Sequence, residues 1–374
     1  MKISPFGVEQ WMNAHELRCK FNLAETCVES LTVEQLLTMT GKRHSILEEL
    51  LPQKLTYGAI EGSDRLRAAV SALFESHSPA NVLITHGGIG ANALVYQALV
   101  EPGNEVVSIV PNYQQHYSIP ESLGARVRFL KLQESAGFLP NPSELKQLVN
   151  GSTKIISLSN PNNPTGALLD RGQLEDIVHI ADSVGAYVLC DEVYRGTAQK
   201  GDTLTPSIAD LYAKGISTGS MSKAFSLAGL RLGWMVGPKE VLRAAEIHRD
   251  YNTISVGMLD DHFAAIALEN YQKILTRSRH IVRTNLAILD EWIGSALDIS
   301  YVKPQGGTVA LLKYAYPMSS REFCLRLLNE TGVLFTPGSA LDMEGYVRIG
   351  YANNETVLRE GLSKVSSFLQ TLAA

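Results

Sequence analysis

The sequence has few cysteines and lacks the cysteine spacings that bind zinc or mark a redox motif. Its four cysteines, Cys19, Cys27, Cys190 and Cys324, are scattered along 374 residues. They form no CxxC pair and no zinc-binding pattern. We therefore expect reduced thiols, as is usual in the cytoplasm, and no metal site.

Long apolar runs and strongly basic segments are also missing. No stretch is apolar for long enough to cross a bilayer, so we expect no transmembrane helix. The chain has 38 acidic and 33 basic side chains, which gives a formal net charge of -5. A net negative charge without basic clusters argues against binding to nucleic acid or to an anionic membrane. We expect a cytoplasmic protein whose ligands are small molecules.

Short apolar runs alternate with amphipathic segments from about residue 60 to about residue 240. This alternation predicts an α/β fold with a mostly parallel, seven-stranded sheet flanked by helices. Ligands of such sheets bind at the carboxyl ends of the strands, so functional residues should directly follow a strand. The predicted strands are 81–85, 105–110, 126–130, 154–158, 186–190, 215–219 and 232–236.

The pattern changes after about residue 240, where long helical segments lead into a smaller α/β unit. Strands of this unit are predicted at 300–303, 309–314 and 346–350. The first residues have the character of an arm that packs on this unit. We predict an N-terminal arm at 1–45, a large domain at 46–270 and a small C-terminal domain at 271–374.

The segment 220–233 reads Ser-Met-Ser-Lys-Ala-Phe-Ser-Leu-Ala-Gly-Leu-Arg-Leu-Gly and suggests a cofactor. Its Lys223 lies between two predicted buried strands, which is unusual for a solvated charge. Lysine forms imines with aldehydes, and the guanidinium of Arg231 suits a phosphate or a carboxylate. Pyridoxal phosphate carries both an aldehyde and a phosphate. The alternative is a surface lysine beside a strand.

A glycine-rich turn follows the predicted strand 81–85, where the sequence reads His-Gly-Gly-Ile-Gly. The backbone amides of Gly88 and Ile89 at the start of a helix could bind a phosphate. The alternatives are a tight turn or a dinucleotide-binding fingerprint. The fingerprint needs an acidic residue at the end of the next strand. That strand ends at Val110 without one, which argues against a nicotinamide enzyme.

Other predicted strand ends carry side chains suited to an aromatic cofactor. Tyr113 could stack on a ring or simply pack. Asn163, in a loop where a cis bond before Pro164 is plausible, could donate to a phenolic oxygen. Asp191 could pair with a protonated pyridine nitrogen or cap a helix, and Tyr194 could donate to the same cofactor.

Four segments, in this order and spacing, resemble the class I/II pyridoxal-phosphate aminotransferases, the group with fold type I. The resemblance covers nearly the whole chain. It implies a large and a small domain, bound pyridoxal 5'-phosphate, amino transfer between an α-amino acid and a 2-oxo acid, and a homodimer. The segments are Asn163-Pro164-Thr165-Gly166, Asp191-Glu192-Val193-Tyr194, Ser220-Met221-Ser222-Lys223 and Gly229-Leu230-Arg231-Leu232-Gly233.

The resemblance also implies a role for each candidate residue. Lys223 would hold the cofactor covalently and then transfer the proton, and Arg348 would bind the α-carboxylate of the substrate. Tyr57 would reach the phosphate of a partner subunit. The implied catalytic residues are Lys223, Asp191 and Tyr194; the cofactor-binding residues are Gly88, Ile89, Tyr113, Asn163, Asp191, Tyr194, Ser220, Ser222, Lys223, Arg231 and Tyr57; the substrate-binding residues are Arg348, Asn163 and Ala24.

The N-terminal arm departs from many relatives. Residues 21–26 read Phe-Asn-Leu-Ala-Glu-Thr and are similar to the arm of aminocyclopropane-carboxylate synthases, which catalyse an elimination. The arm and residues 249–255 are also similar to capreomycidine synthases, which cyclise an arginine derivative. A pyridoxal-phosphate lyase or cyclase is therefore the alternative function. Lys223, Asp191 and Arg348 together argue against a binding module without activity.

Residues outside these motifs bear on the choice of substrate. We expect Glu25 to be a solvated charge beside a helix; if it points inward, it would favour a cationic or amine-bearing substrate. No second arginine is evident for a distal carboxylate, so a dicarboxylate substrate is not favoured.

Overall fold

The computed structural model describes residues 2–296 and 298–373, which fold into helices around a seven-stranded and a four-stranded sheet. Helices α1 to α14 are Gly7–His15, Val33–Thr40, Ile46–Leu50, Asp64–Ser71, Gly87–Leu99, Gln115–Ser122, Pro142–Leu148, Arg171–Val184, Ile208–Leu211, Lys239–Asp250, Met258–Glu269, Tyr271–Ser295, Ser320–Thr331 and Glu355–Ala373. Strands β1 to β13 are Phe21–Asn22, Val82–Thr85, Glu105–Val110, Arg126–Lys131, Thr153–Ser159, Tyr187–Asp191, Gly215–Ser220, Gly233–Val236, Ile299–Tyr301, Val309–Tyr314, Val333–Leu334, Thr336–Pro337 and Tyr346–Gly350.

The seven-stranded sheet confirms the predicted α/β fold. Its strand order is β2-β8-β7-β6-β5-β3-β4. The pairs from β7 to β4 are parallel, whereas β8 is antiparallel to both of its neighbours. Central strands such as β6 are buried along most of their length, because helices cover both faces of the sheet. This burial explains why the strands were visible as short continuous apolar runs.

The register of the central strands brings their carboxyl ends to one edge of the sheet. Ser159 at the end of β5 pairs with Asp191 at the end of β6, and Asp191 pairs with Thr218 in β7. Two residues later, Ser220 ends β7. Helix α5 begins at Gly87, two residues after β2 ends, so the glycines form its first turn. The predicted functional residues therefore converge on this edge.

The arm packs on the C-terminal part of the chain. Strand β1 pairs in parallel with β11 through Phe21 and Val333, and the Trp11 indole N–H donates to the Phe335 carbonyl at 2.9 Å. Buried side chains of the arm share one apolar core with α13, α14 and the four-stranded sheet β12-β13-β10-β9. The arm is thus fixed by contacts with residues some three hundred positions away.

The predicted domain limits at 45 and 270 stay a prediction. Helix α12, which begins at Tyr271, joins the two halves: Ile274 and Leu275 pack in the core beside the large sheet, and Val282 and Leu289 pack in the core of the arm. Within the described residues, no helix is both long and apolar enough to cross a membrane.

Candidate active site

A cavity of about 320 Å³ opens at the carboxyl edge of the large sheet, between that edge and the arm. Its size is in the range of small-molecule sites. Tyr57 lies outside it and is 76% exposed. The other predicted site residues all line its wall: Ala24, Gly88, Ile89, Tyr113, Asn163, Asp191, Tyr194, Ser220, Ser222, Lys223, Arg231 and Arg348. The structure therefore brings together residues that are up to 324 positions apart.

One end of the cavity is formed by the first turn of α5. The amides at the start of a helix have no intrahelical acceptor and carry the positive end of the helix dipole. A Cβ on Gly88 would lie 2.9 Å from Val193 Cγ1, so a side chain does not fit there without movement. Glycine at this position thus lets the first turn of α5 pack closely against Val193 and the end of β7.

Hydroxyl and guanidinium donors lie at the same end. Ser220 and Ser222 line the cavity, and Arg231 Nη1 is 3.4 Å from Ser222 Oγ. Arg231 has a left-handed backbone with φ of 49° and donates to the Ala228 carbonyl at 2.9 Å. Hydroxyls, helix amides and a guanidinium together form the donor set that a phosphate needs.

Asp191 is the buried acid of the site, with only 6% of its surface exposed. Its Oδ2 accepts from Asn92 Nδ2 at 2.8 Å, and its Oδ1 accepts from the Val193 amide at 3.2 Å. Asn92 is itself held by the Thr218 hydroxyl, which donates to its Oδ1 at 2.7 Å. No helix begins at this point of the described chain, so the helix-cap interpretation of Asp191 is wrong.

A histidine that sequence reasoning missed lies beside this acid. His116 Nε2 is 3.7 Å from Asp191 Oδ2 and, among the described residues, has no hydrogen-bond partner. The other ring nitrogen of His116 is 3.0 Å from the Tyr96 hydroxyl. Asn92 and His116 thus surround a carboxylate that points at the cavity and is suited to bind a cationic ring nitrogen.

Lys223 reaches the cavity from the loop after β7. Its Nζ donates to Thr26 Oγ1 and lies 3.5 Å from Cys27 Sγ, both in the arm. Burial opposes the charge of Lys223, whereas the nearby Glu25 carboxylate favours it. Burial raises the pKa of the Cys27 thiol to about 11, so this thiol is neutral near pH 7.

Arg348 enters the cavity from β13 and is 1% exposed. One Nη donates to Asn163 Oδ1 at 3.1 Å, and the other is 3.2 Å from Thr336 Oγ1 and 3.5 Å from the Ala24 carbonyl. Among the described residues, its Nε has no partner. A buried guanidinium without a carboxylate is costly, and its environment suits an anionic group of a ligand.

Two tyrosines also line the cavity, near Asp191 and Lys223. Tyr194 is 2% exposed, and burial raises the pKa of its hydroxyl, which therefore stays a proton donor. The Tyr113 hydroxyl donates to Glu9 Oε1 of α1 at 2.6 Å, so the arm holds this ring in place. The peptide bond before Pro164 is cis, as the sequence suggested.

The expectation that Glu25 is a solvated charge is wrong. Glu25 lines the cavity, and its Oε1 accepts from the amides of Thr26 at 2.7 Å and Cys27 at 2.9 Å. Burial disfavours its charge, but Lys223 and the two amides more than offset this and lower its pKa. Glu25 is therefore an ionised group inside the site.

These side chains fit pyridoxal phosphate. The Gly88 cradle with its hydroxyls and guanidinium suits the phosphate, the buried Asp191 carboxylate suits a protonated ring nitrogen, and the Lys223 amine suits the aldehyde. No group of three or more metal-ligating side chains occurs in the described part of the chain. The roles that the resemblance implies for single residues remain predictions.

Comparison with known proteins agrees with this assignment. The family model described as aminotransferase class I and II matches residues 31–365. A crystal structure of a PLP-dependent aminotransferase from Streptococcus suis superposes with a TM-score of 0.96 and is 44% identical, covering 100% of this chain and 99% of the other.

Two further relatives carry the names of different enzymes. Capreomycidine synthase of Streptomyces vinaceus is 30% identical over 98% of this chain and 94% of its own length. An aspartate/prephenate aminotransferase of Thermus thermophilus is 27% identical over 84% of each chain. The match along 31–365 and the fold agree with the site: the protein belongs to the class I and II aminotransferases, a family of pyridoxal-phosphate enzymes.

Proposed function

We propose that this protein transfers the amino group of an α-amino acid to a 2-oxo acid with bound pyridoxal 5'-phosphate. The observation that carries the proposal is the convergence of Lys223, Asp191 and Arg348 on one cavity. These three side chains supply a base, a partner for a ring nitrogen and a carboxylate site, which are the groups that the reaction needs.

Each residue has a defined task in this reaction. Bound pyridoxal phosphate supplies an electron sink for the charge left when Cα loses its proton. Arg348 binds the α-carboxylate and so fixes the orientation of the Cα–H bond. Lys223 Nζ, in its uncharged form, would take this proton from Cα and hold it for the transfer that follows. Asp191, oriented by Asn92, would stabilise a positive charge on the ring nitrogen of bound pyridoxal phosphate.

The test is a set of half-reactions with the holoenzyme. Each amino acid is added alone, and the visible absorbance of the bound cofactor is followed before a 2-oxo acid is added. We expect the absorbance to change with a donor and to return with an acceptor, with one 2-oxo acid formed per site. Failure to bind pyridoxal phosphate, or product formation without any 2-oxo acid, would contradict the proposal.

A cyclase or lyase is the second candidate, because a capreomycidine synthase matches 98% of this chain. Such a reaction needs no amino acceptor. Product analysis separates the two functions: an aminotransferase yields a 2-oxo acid from the donor, whereas a lyase releases a leaving group and a cyclase retains every nitrogen.

A homodimer is part of the proposal, supported by an exposed apolar surface. Segments 47–60 and 247–259 carry the residues of this surface and meet at Gly58, where a Cβ would be 3.7 Å from Met258 Cβ. An apolar area of this kind marks a protein interface. The exposed large apolar residues on the two segments are Leu47, Leu51, Leu55, Tyr57, Ile60, Ile247, Tyr251, Ile254 and Leu259.

Mixed dimers test whether Tyr57 reaches the cavity of a partner subunit. A Tyr57→Phe subunit paired with a Lys223→Ala subunit keeps one complete site if Tyr57 acts across the interface. We expect this heterodimer to have about half the wild-type activity. Activity no higher than that of the Tyr57→Phe homodimer, or a monomer by light scattering, would contradict it.

The cytoplasmic location and the exact domain limits are also proposals. The four cysteines are free, which supports a cytoplasmic location. The limits 1–45, 46–270 and 271–374 are supported by the apolar core that the arm shares with the C-terminal helices.

A further inference from the structure

The charged residues that line the cavity are divided between two sides. The charges on the large sheet and on β13 each have a task in the proposed reaction. After those are set aside, the remaining charges are all negative and all come from the arm. The residues with a task are Asp191, Lys223, Arg231 and Arg348, and the remaining ones are Glu9, Glu16 and Glu25.

Glu25 is the innermost of these acids. Two backbone amides fix its Oε1, and the Cys27 thiol is its only other hydrogen-bonding neighbour among the described residues. It is close enough to Lys223 and Arg348 to act on the charge of both. A carboxylate with a fixed orientation is a ready acceptor for a cationic donor.

Glu9 and Glu16 continue this acidic surface outward. Glu9 is half-buried and accepts from the Tyr113 hydroxyl, and Glu16 is exposed and accepts from Asn22 Nδ2 at 3.2 Å. In the described part of the chain, neither forms an ion pair, nor does Glu25. Three acids that form no direct ion pair within the described residues thus border one cavity.

An independent feature shows where the other end of a ligand would bind. Arg348 is 1% exposed and lines the same cavity, and its Nε has no hydrogen-bond partner among the described residues. Its guanidinium is therefore suited to bind an anionic group of a ligand. It touches the carbonyl of Ala24, the residue directly before Glu25. An anion site and a cation site therefore meet at one short stretch of the arm.

We propose that the amino donor has a positively charged side chain, which Glu25 recognises together with Glu9 and Glu16, and that dicarboxylic amino acids are rejected. This inference rests on the proposed aminotransferase function, because it concerns the substrate of the same site. The α-carboxylate binds Arg348, and the side-chain cation faces the arm. A second carboxylate would face three negative charges and find no free cation among the described lining residues.

The expected preference for a cationic donor over a neutral one depends on the strength of its hydrogen bond with the Glu25 carboxylate. A hydrogen bond between charged groups stabilises a complex more than one between neutral groups, and an unpaired buried charge is costly. Citrulline has nearly the shape of arginine but no charge. We expect arginine to be preferred over citrulline by roughly 10- to 100-fold in kcat/KM.

Matched variants assign this preference to the arm. Glu25→Gln keeps the shape of the side chain and removes its charge, so the ratio of arginine to citrulline should fall by about tenfold or more. Glu9→Gln should lower it less, since Glu9 also holds Tyr113. Glu34→Gln is the control, because Glu34 is an exposed acid of the same arm that pairs with Arg43 and lies outside the cavity.

A binding measurement separates recognition from turnover. The α-methyl analogues of arginine and citrulline lack the Cα proton, so calorimetry with the holoenzyme reports affinity alone. We expect α-methylarginine to bind about tenfold or more tightly than α-methylcitrulline, and this difference to disappear in Glu25→Gln.

The outcomes distinguish this inference from the proposed function. If neutral or dicarboxylic amino acids are transaminated as efficiently as arginine and lysine, the inference fails while the aminotransferase function stands. An unchanged ratio in Glu25→Gln also overturns it. If no amino acid gives a 2-oxo acid, the proposed function itself fails.

Discussion

The two sides of the cavity differ in how the chain builds them. The sheet side, with Asp191, Ser220 and Lys223, is formed by residues at or just after the ends of neighbouring strands. The arm side, with Glu9 and Glu25, lies on a segment held by pairing and packing against the C-terminal part of the chain. The first side is set by sheet topology, and the second by distant contacts.

This difference suggests that the two sides of the cavity have different functions. Groups on the sheet side contact the cofactor, and they would be the same for many amino acids. Groups on the arm side face the part of the substrate that varies. We infer that the sheet side determines the reaction and the arm side determines which donor is accepted. The predictions below disturb one side at a time.

The largest effect is expected for Lys223→Ala. Loss of the base should lower kcat by at least about 10²–10⁴-fold with arginine and with any neutral donor alike. Stopped-flow absorbance of the holoenzyme measures the rate. Lys239→Ala, an exposed lysine of α10, is the control. A loss confined to one substrate would contradict a role on the sheet side.

Asp191→Asn should have the next largest effect. Removing one partner of a buried ion pair costs about 3–5 kcal/mol, so we expect a loss of roughly 10²–10⁴-fold in kcat. Asn92→Ala, which leaves Asp191 in place but frees its carboxylate, should cost less. The control is the exposed Asp176→Asn. Wild-type kcat in Asp191→Asn would show that this carboxylate does not act on the cofactor.

Gly350→Ala should displace the arm and leave the residues at the strand ends of the large sheet in place. The Gly350 amide donates to the Leu23 carbonyl at 2.7 Å, and a Cβ there would overlap the carbonyl of Glu25. We expect a free energy of unfolding lower by about 1–3 kcal/mol and a reduced preference for arginine. Gly294→Ala in α12, where nothing lies within 4 Å, should be neutral or stabilising. Chemical denaturation measures the free energy of unfolding of both variants, and ratios of kcat/KM measure the preference for arginine. An unaltered preference in Gly350→Ala would contradict a role of the arm in choosing the donor.

The smallest effect concerns pH. Burial opposes the ionisation of Glu25, but Lys223 and two amides hold its pKa below 4.5. Because the preference for arginine needs the charged form, it should stay constant from about pH 8 to about pH 5 and fall only as the pH drops through that lowered pKa. Ratios of kcat/KM measured across this range test it. A fall near pH 6 would indicate a histidine instead.

The sequence predicts the sheet side of the cavity better than the arm side. Asp191 and Lys223 could be found because apolar strands are visible in the sequence and functional residues follow their ends. Asn92 was missed, although a polar residue four positions after Gly88 on an apolar helix was a usable signal. His116 and Glu25 could not be placed, because their positions depend on tertiary packing rather than on a local pattern.

The most direct test is a crystal structure of the holoenzyme with α-methylarginine. The account predicts the α-carboxylate on Arg348 and the guanidinium within hydrogen-bond distance of Glu25, on the side of Glu9. A guanidinium directed away from all three arm acids would contradict it.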